Sequence, residues 1–157
     1  MFEGVRRSYA LLILLLMEII EELGTDRGLE MLQTSVEKQA AIIARELRRK
    51  IPENSDLLDT SNLVYRAFME EAGAELAVHE KTEDSITYRV KRCPFYEAFL
   101  DVGIDCGYFL GGLCTHLTLP AIQAALNHFR GGLKLEPLLV RESAEEFCLE
   151  RISLEDT

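Results

Sequence analysis

Cys93-Pro94 carries the sharpest chemical signal in the chain. Proline suits the first turn of a helix, where its missing N–H would have no partner in any case. That places Cys93 at the N-cap. Free backbone N–H groups and the positive end of the helix dipole favour a thiolate there, and Arg92 adds positive charge. Glu97 and Asp101 follow four and eight residues later, on the same stripe of the helix. The set reads as a nucleophile with acid/base partners and predicts a thiol of depressed pKa. The same residues also suit a half-buried cysteine at a helix start beside a solvated acidic face, and a nearby carboxylate opposes the thiolate. Tyr96 and Asp101 would line the ligand pocket.

The next chemical residues are Cys106, Cys114 and His116. Gly107, Gly111 and Cys114 fall on one smooth stripe if this segment is helical, and such a stripe admits a ligand or another backbone closely. Cys114 and His116 are two apart, which on a helix sets them about 200° from one another, so one ion does not easily take both. His116 then suits an ordinary hydrogen-bonded or surface histidine as well as a functional one. Cys93, Cys106, Cys114 and Cys148 could also meet at one metal, as four thiolates suit zinc or an iron–sulfur cluster. No Cys-x-x-Cys pair marks such a site. The alternative is that the thiols are reduced and fill the core. Phosphate-binding glycine loops, G-x-S-x-G and zinc-hydrolase histidine pairs are absent from the sequence.

Several elements must position these residues. The spacing predicts a helix over 4–23, apolar nearly all round, ended by Gly24 in a left-handed cap. Such a helix lies either at the centre of a core or at a subunit interface, and we expect a homodimer. Arg6-Arg7 before the apolar run Ala10 to Met17 imitates a signal peptide, but Glu18, Glu21 and Glu22 follow at once with no small-residue cleavage site. The run is also too short to span a bilayer. Thr25 or Asp26 is expected to cap a second helix, in which Leu29, Leu32, Val36, Ala40, Ile43 and Leu47 recur at helical spacing. Pro52 to Asp59 reads as a polar linker. A third helix, capped by Thr60 or Ser61, would bury Leu63, Ala67 and Phe68 and stop at Gly73.

The period then changes to two. Leu76 and Val78, then Ile86, Tyr88 and Val90, alternate with polar neighbours around Lys81-Thr82-Glu83-Asp84, which is a hairpin. Helical patterns return after Cys93 and over 120–129. Two last runs, 133–142 and 146–152, form a second hairpin, with Pro137 marking an edge strand or a bulge. Cys148 and Ile152 share one face of the last strand, Phe147 and Leu149 the other. The expected fold is α+β: N-terminal helices and a small antiparallel sheet of two hairpins with helices packed on it, one domain over 1–157.

Composition bounds the partners. With 157 residues, 48% of them hydrophobic, the chain can bury a core without disulfides. A net charge of −10 repels phosphate backbones and anionic lipid, so neither nucleic acid nor membrane is expected. Four cysteines, all after Lys91, suit reduced thiols in the cytoplasm.

The Cys-Pro-aromatic start in RCPFYE, the later Cys114 and the pair R-E-S…F-C-L-E around Cys148 resemble the L-2-amino-thiazoline-4-carboxylate hydrolase family. The likeness runs from about Arg89 to Ile152. It implies hydrolytic opening of a small sulfur–nitrogen heterocycle, with Cys93, Cys114 and Cys148 near the pocket. The family carries an acid shortly after the second cysteine, where this chain has Thr115, His116, Leu117 and Thr118. The glycine before the third cysteine is also missing. More distantly, the order of elements resembles vinyl-reductase-type ligand-binding domains, which share a fold with Golgi transport-complex subunits and often dimerise through helices. Two readings follow. One is a hydrolase of a cyclic amide or amidine with Cys93 as nucleophile or ligand, Glu97 as acid/base, and Cys114 and His116 lining the pocket. The other is a dimeric small-molecule or metal sensor without turnover.

Overall fold

The computed structural model describes residues 1–103, 117–129, 132–143 and 145–155. Three helices come first: α1 (Phe2–Leu23), α2 (Thr25–Arg48) and α3 (Leu57–Met69). The hairpin of β1 (Glu75–Lys81) and β2 (Ser85–Arg92) follows, then α4 (Pro94–Gly103), α5 (Leu119–Asn127), β3 (Leu133–Leu139) and β4 (Cys148–Leu154). The strands make one antiparallel sheet in the order β1-β2-β4-β3. The α+β expectation holds. The two hairpins merge because β2 pairs with β4, a long-range contact that local pattern does not announce. β3 is an edge strand, and its register shifts between Pro137 and Leu139, so Pro137 stands at both an edge and a bulge.

The helix-facing side of the sheet carries Ile86, Tyr88 and Val90 from β2 and Ile152 from β4, all essentially buried. These pack with Leu58, Val64, Tyr65 and Met69 of α3 and with Ile122, Ala125 and Leu126 of α5. A second pool of core joins Ile13 and Leu16 of α1 to Leu32 and Val36 of α2, Ala98 and Phe99 of α4, and Leu117 and Ala121. Burial of this apolar surface is the main force holding the layers together.

Local chemistry departs from expectation at the end of α1 and at the starts of α2 and α3. Gly24 has φ 89 and ψ 162, so its positive φ turns the chain directly from α1 into α2 rather than making a left-handed cap. Gly24 is itself the N-cap of α2, and neither Thr25 nor Asp26 caps it by side chain. Helix α3 starts earlier than its pattern suggests. Asp56, not Thr60 or Ser61, caps it by accepting the Asp59 N–H at 2.8 Å, because a carboxylate at that position satisfies an otherwise open donor. Leu63 then faces solvent, while Ser61, Val64 and Tyr65 take the inner face.

Gly73 sets the approach of the α3–β1 turn to the start of α1. Its φ is 96, and an added Cβ would meet Phe2 Cα and Cβ at 3.0 Å. Gly4, on the outside of α1, has nothing within 4 Å of such a Cβ. Gly73→Ala is expected to lower unfolding free energy by about 1–3 kcal/mol through the unfavourable φ and the backbone contact. Gly4→Ala should raise it by about 0.5–1 kcal/mol. Urea melts of the two variants, read at unchanged slope, check both signs.

Candidate functional site

Cys93 does sit at the turn from β2 into α4. Its carbonyl accepts the Glu97 N–H at 3.1 Å, and the backbone N–H groups of Tyr96 and Phe95 point at its sulfur. The helix start is therefore built as the sequence predicts. Its electrostatic consequence is the reverse. Burial dominates and pushes the thiol up to about 12, against the pull of the Tyr96 N–H, with the charge of Glu150 adding to the rise. Cys93 is a buried thiol of raised pKa, where the Cys-Pro signal suggests a depressed one.

Glu97 and Asp101 are drawn elsewhere. Arg6 of α1 grips Asp101 through two hydrogen bonds, Nε to Oδ2 at 2.6 Å and Nη2 to Oδ1 at 2.7 Å, and this holds the Asp101 carboxyl below its ordinary value. Glu97 Oε1 is 3.5 Å from Arg6 Nη1. Its Oε2 is buried and 3.5 Å from Arg92 Nε, too poorly aligned for a hydrogen bond. Arg92 itself lies over the Phe2 ring at 3.9 Å. These charges lock α4 to α1. Glu97 and Asp101 belong to an ion network at a helix–helix seam.

Different residues surround the sulfur. Glu150, fully buried in central strand β4, pairs with Tyr88 of β2 and accepts a short hydrogen bond from the Tyr65 hydroxyl of α3. Burial raises the Glu150 pKa, more than Tyr65 and the Arg141 charge lower it. Tyr65 is likewise raised, first by burial and then by the Glu150 charge. Its ring stacks on Tyr88 with centroids 4.1 Å apart and planes 15° from parallel. The Tyr88 hydroxyl donates to Asn62 Oδ1 at 2.6 Å.

Arg141, also buried, closes the cluster. Its guanidinium donates to the carbonyl oxygens of Lys91 and Val90, the latter at 2.6 Å, and its Nε donates to Cys148 Sγ at 3.2 Å. Tyr96 lies beneath it at 5.1 Å. Cys148 and Tyr96 are the half-buried members, and Cys148 pairs with Val90 across the sheet. Both Cys93 and Cys148 are free thiols.

Of the expected site residues, the structure gathers Cys93, Tyr96 and Cys148 around Arg141 and sends Glu97 and Asp101 to Arg6. Cys106, Gly107, Gly111, Cys114 and His116 lie outside the described residues, and with them half of the four-thiolate metal set. Among the described residues no three His, Cys, Asp or Glu side chains gather as a metal site. Sequence reasoning missed Glu150, Tyr65 and Arg141. The signal for Glu150 was present: once Cys148 and Ile152 face the core, a strand's two-residue period turns Glu150 inward between them.

A separate cleft of about 320 Å³ opens among α1, α2, α3, α4 and the start of α5. Tyr9, Ile43, Leu47, Phe68 and Phe95 form its walls, with Gln39, Glu46 and Glu71 also lining it. No basic side chain lines it among the described residues.

The profile of the L-2-amino-thiazoline-4-carboxylic acid hydrolase family matches residues 5–116. This chain belongs to that family. No curated protein matches it. The family match takes in Tyr65, Cys93, Tyr96, Glu97, Cys114 and His116 and stops before Arg141, Cys148 and Glu150. The polar cluster is thus assembled half from the matched segment and half from the hairpin beyond it. No helix among the described residues is long and apolar enough to cross a membrane.

Two measurements follow from the cluster. In the native protein Cys93 should resist iodoacetamide at neutral pH while Cys148 reacts ahead of it, and urea should abolish the difference; peptide mapping reads both. Glu150, with its folded pKa raised, binds a proton more tightly folded than unfolded. Its contribution to stability is complete below the unfolded value of about 4.5 and is lost as pH rises through the higher folded value. Glu150→Gln should remove that fall from the pH–stability profile and leave the protein at least as stable at pH 7, measured by urea melts from pH 4 to 8.

Proposed function

We propose that this chain is a hydrolase that opens a small cyclic amidine of the thiazoline type at its ring C–N bond. Family membership supports the reaction class, and the observation that carries the chemistry is Glu150. In such a ring opening, water oxygen bonds to the amidine carbon between sulfur and nitrogen. The carbon–nitrogen ring bond breaks, and the nitrogen leaves as an amine once protonated. Burial raises the pKa of Glu150, which favours its protonated form and suits it to supply that proton. Tyr65 and Arg141 hold Glu150 and its surroundings in place. Cys93 lies buried beside it, and Cys148 and Tyr96 are the half-buried members of the cluster. Cys114 and His116 keep the lining role that the sequence suggests for them. The setting we propose is cytoplasmic, because free thiols persist under reducing conditions.

The apolar cleft favours a second reading, a homodimeric module that binds a small molecule without turnover. Its walls suit an apolar ligand, and the absence of a described basic side chain leaves a carboxylate without a counter-charge there.

The test is conversion of 2-amino-thiazoline-4-carboxylate by the purified chain, followed by mass spectrometry for the gain of one water and appearance of a primary amine. Glu150→Gln should cut kcat by about 10²–10⁴-fold with an unchanged circular dichroism spectrum. Cys93→Ser should stay within a few-fold of the parent. Loss of turnover in Cys93→Ser with full activity in Glu150→Gln would return the nucleophile role to Cys93. No product from the parent chain, together with saturable binding of a neutral apolar dye that Phe68→Glu abolishes, would establish the module instead.

A further inference from the structure

Helix α1 has two apolar faces and only one of them is used. Tyr9, Ile13, Leu16 and Ile20 turn toward the core. On the opposite side Leu11, Leu14 and Leu15 are 68%, 49% and 55% exposed. Three large aliphatic side chains so close together on one exposed helix face mark a contact surface rather than ordinary scatter. The charges around them are ordered. Arg7 precedes the leucines and Glu18 follows them, on the same stripe at 100° per residue. Neither Arg7 nor Glu18 makes an ion pair or side-chain hydrogen bond among the described residues.

We propose that this stripe is the contact of a homodimer in which two α1 helices lie antiparallel about a two-fold axis midway between Leu11 and Leu14. The numbering is symmetric about that point: Arg7 lies as far before it as Glu18 lies after it. In the antiparallel pair, Leu11 meets the partner's Leu14, and Arg7 stands level with the partner's Glu18, twice over by symmetry. A parallel pair would set Arg7 against Arg7 and Glu18 against Glu18, so charge selects the orientation. The stripe is therefore complementary to itself, which is what an isologous contact requires. A bilayer is the poorer occupant. Glu18, Glu21 and Glu22 crowd the end of the helix and the whole chain carries −10, both unfavourable at an anionic surface.

The experiment is sedimentation equilibrium on the full chain over a hundredfold range of concentration, with circular dichroism as the check on folding. The parent should dimerise reversibly. Leu11→Glu should leave a folded monomer. Arg7→Glu and Glu18→Arg should each weaken the dimer about tenfold or more at low salt, since each turns two attractions into repulsions. The double variant Arg7→Glu/Glu18→Arg should recover most of the loss, because it exchanges the charges across the axis. A parent that stays monomeric throughout overturns the proposal. So does a dimer that ignores Leu11→Glu, or one in which the double variant is as weak as the singles. Binding of the monomeric parent to phosphatidylserine vesicles through Leu11 would hand the face to lipid instead.

Discussion

The pairing of β2 with β4 is the constraint on which the rest of the structure depends. It joins a hairpin at residues 75–92 to one at 133–154 and fixes which side chains meet across their common seam. Val90 stands opposite Cys148 and Tyr88 opposite Glu150. A slip of one residue would turn Glu150 to solvent and Arg151 to the core. The register is held by Ile86, Tyr88, Val90 and Ile152, which are buried only in this alignment. Hydrophobic burial thus forces a carboxyl into an apolar layer, and burying such a group without a partner costs several kcal/mol. The Tyr65 hydroxyl offsets part of that cost, and the raised pKa of Glu150 expresses the remainder as a preference for the neutral form.

Arg141 solves a different problem with the same economy. The strand β2 ends where Cys93 begins α4, which leaves the carbonyls of Val90 and Lys91 near the sheet end. One guanidinium covers both, and its planar fork suits two acceptors better than an ammonium would. The same group reaches Cys148 and covers Tyr96. The loop after β3, the end of β2 and the start of α4 are therefore organised around one side chain. A helix N-terminus usually activates a thiol; here the same helix start is buried, and desolvation outweighs the dipole.

Much of the architecture was legible in the sequence. The periodicity of α2 from Leu32 to Leu47, the switch to period two at Leu76 and the Cys93-Pro94 helix start all read directly, because each is a local signal of several residues. Asp56 was missed as a cap because PENSDLLD offers several polar candidates and only tertiary context chooses among them. Leu63 was placed inside because leucine is apolar, whereas Ser61 and Tyr65 won the inner face by shape and by the need of Glu150 for a donor. The site was legible in part. Cys93, Tyr96 and Cys148 do come together, but Arg6, ninety-five residues from Asp101, captures Asp101 and Glu97 through a contact that no spacing rule encodes.

That capture has a mechanical consequence. Helix α4 is held at its far end by the Arg6 bonds to Asp101, along its side by Arg92 and Glu97, and at its start by the backbone around the Cys93 sulfur. It is a strut pinned at both ends, with α1 as its outer wall. The outer pin is ionic and half open to water, so dissolved salt loosens it, whereas the inner pin is dry and indifferent to salt. Dissolved salt therefore bears on the outer end of α4, through Arg6 and Asp101, and leaves the enclosed end at Cys93 untouched.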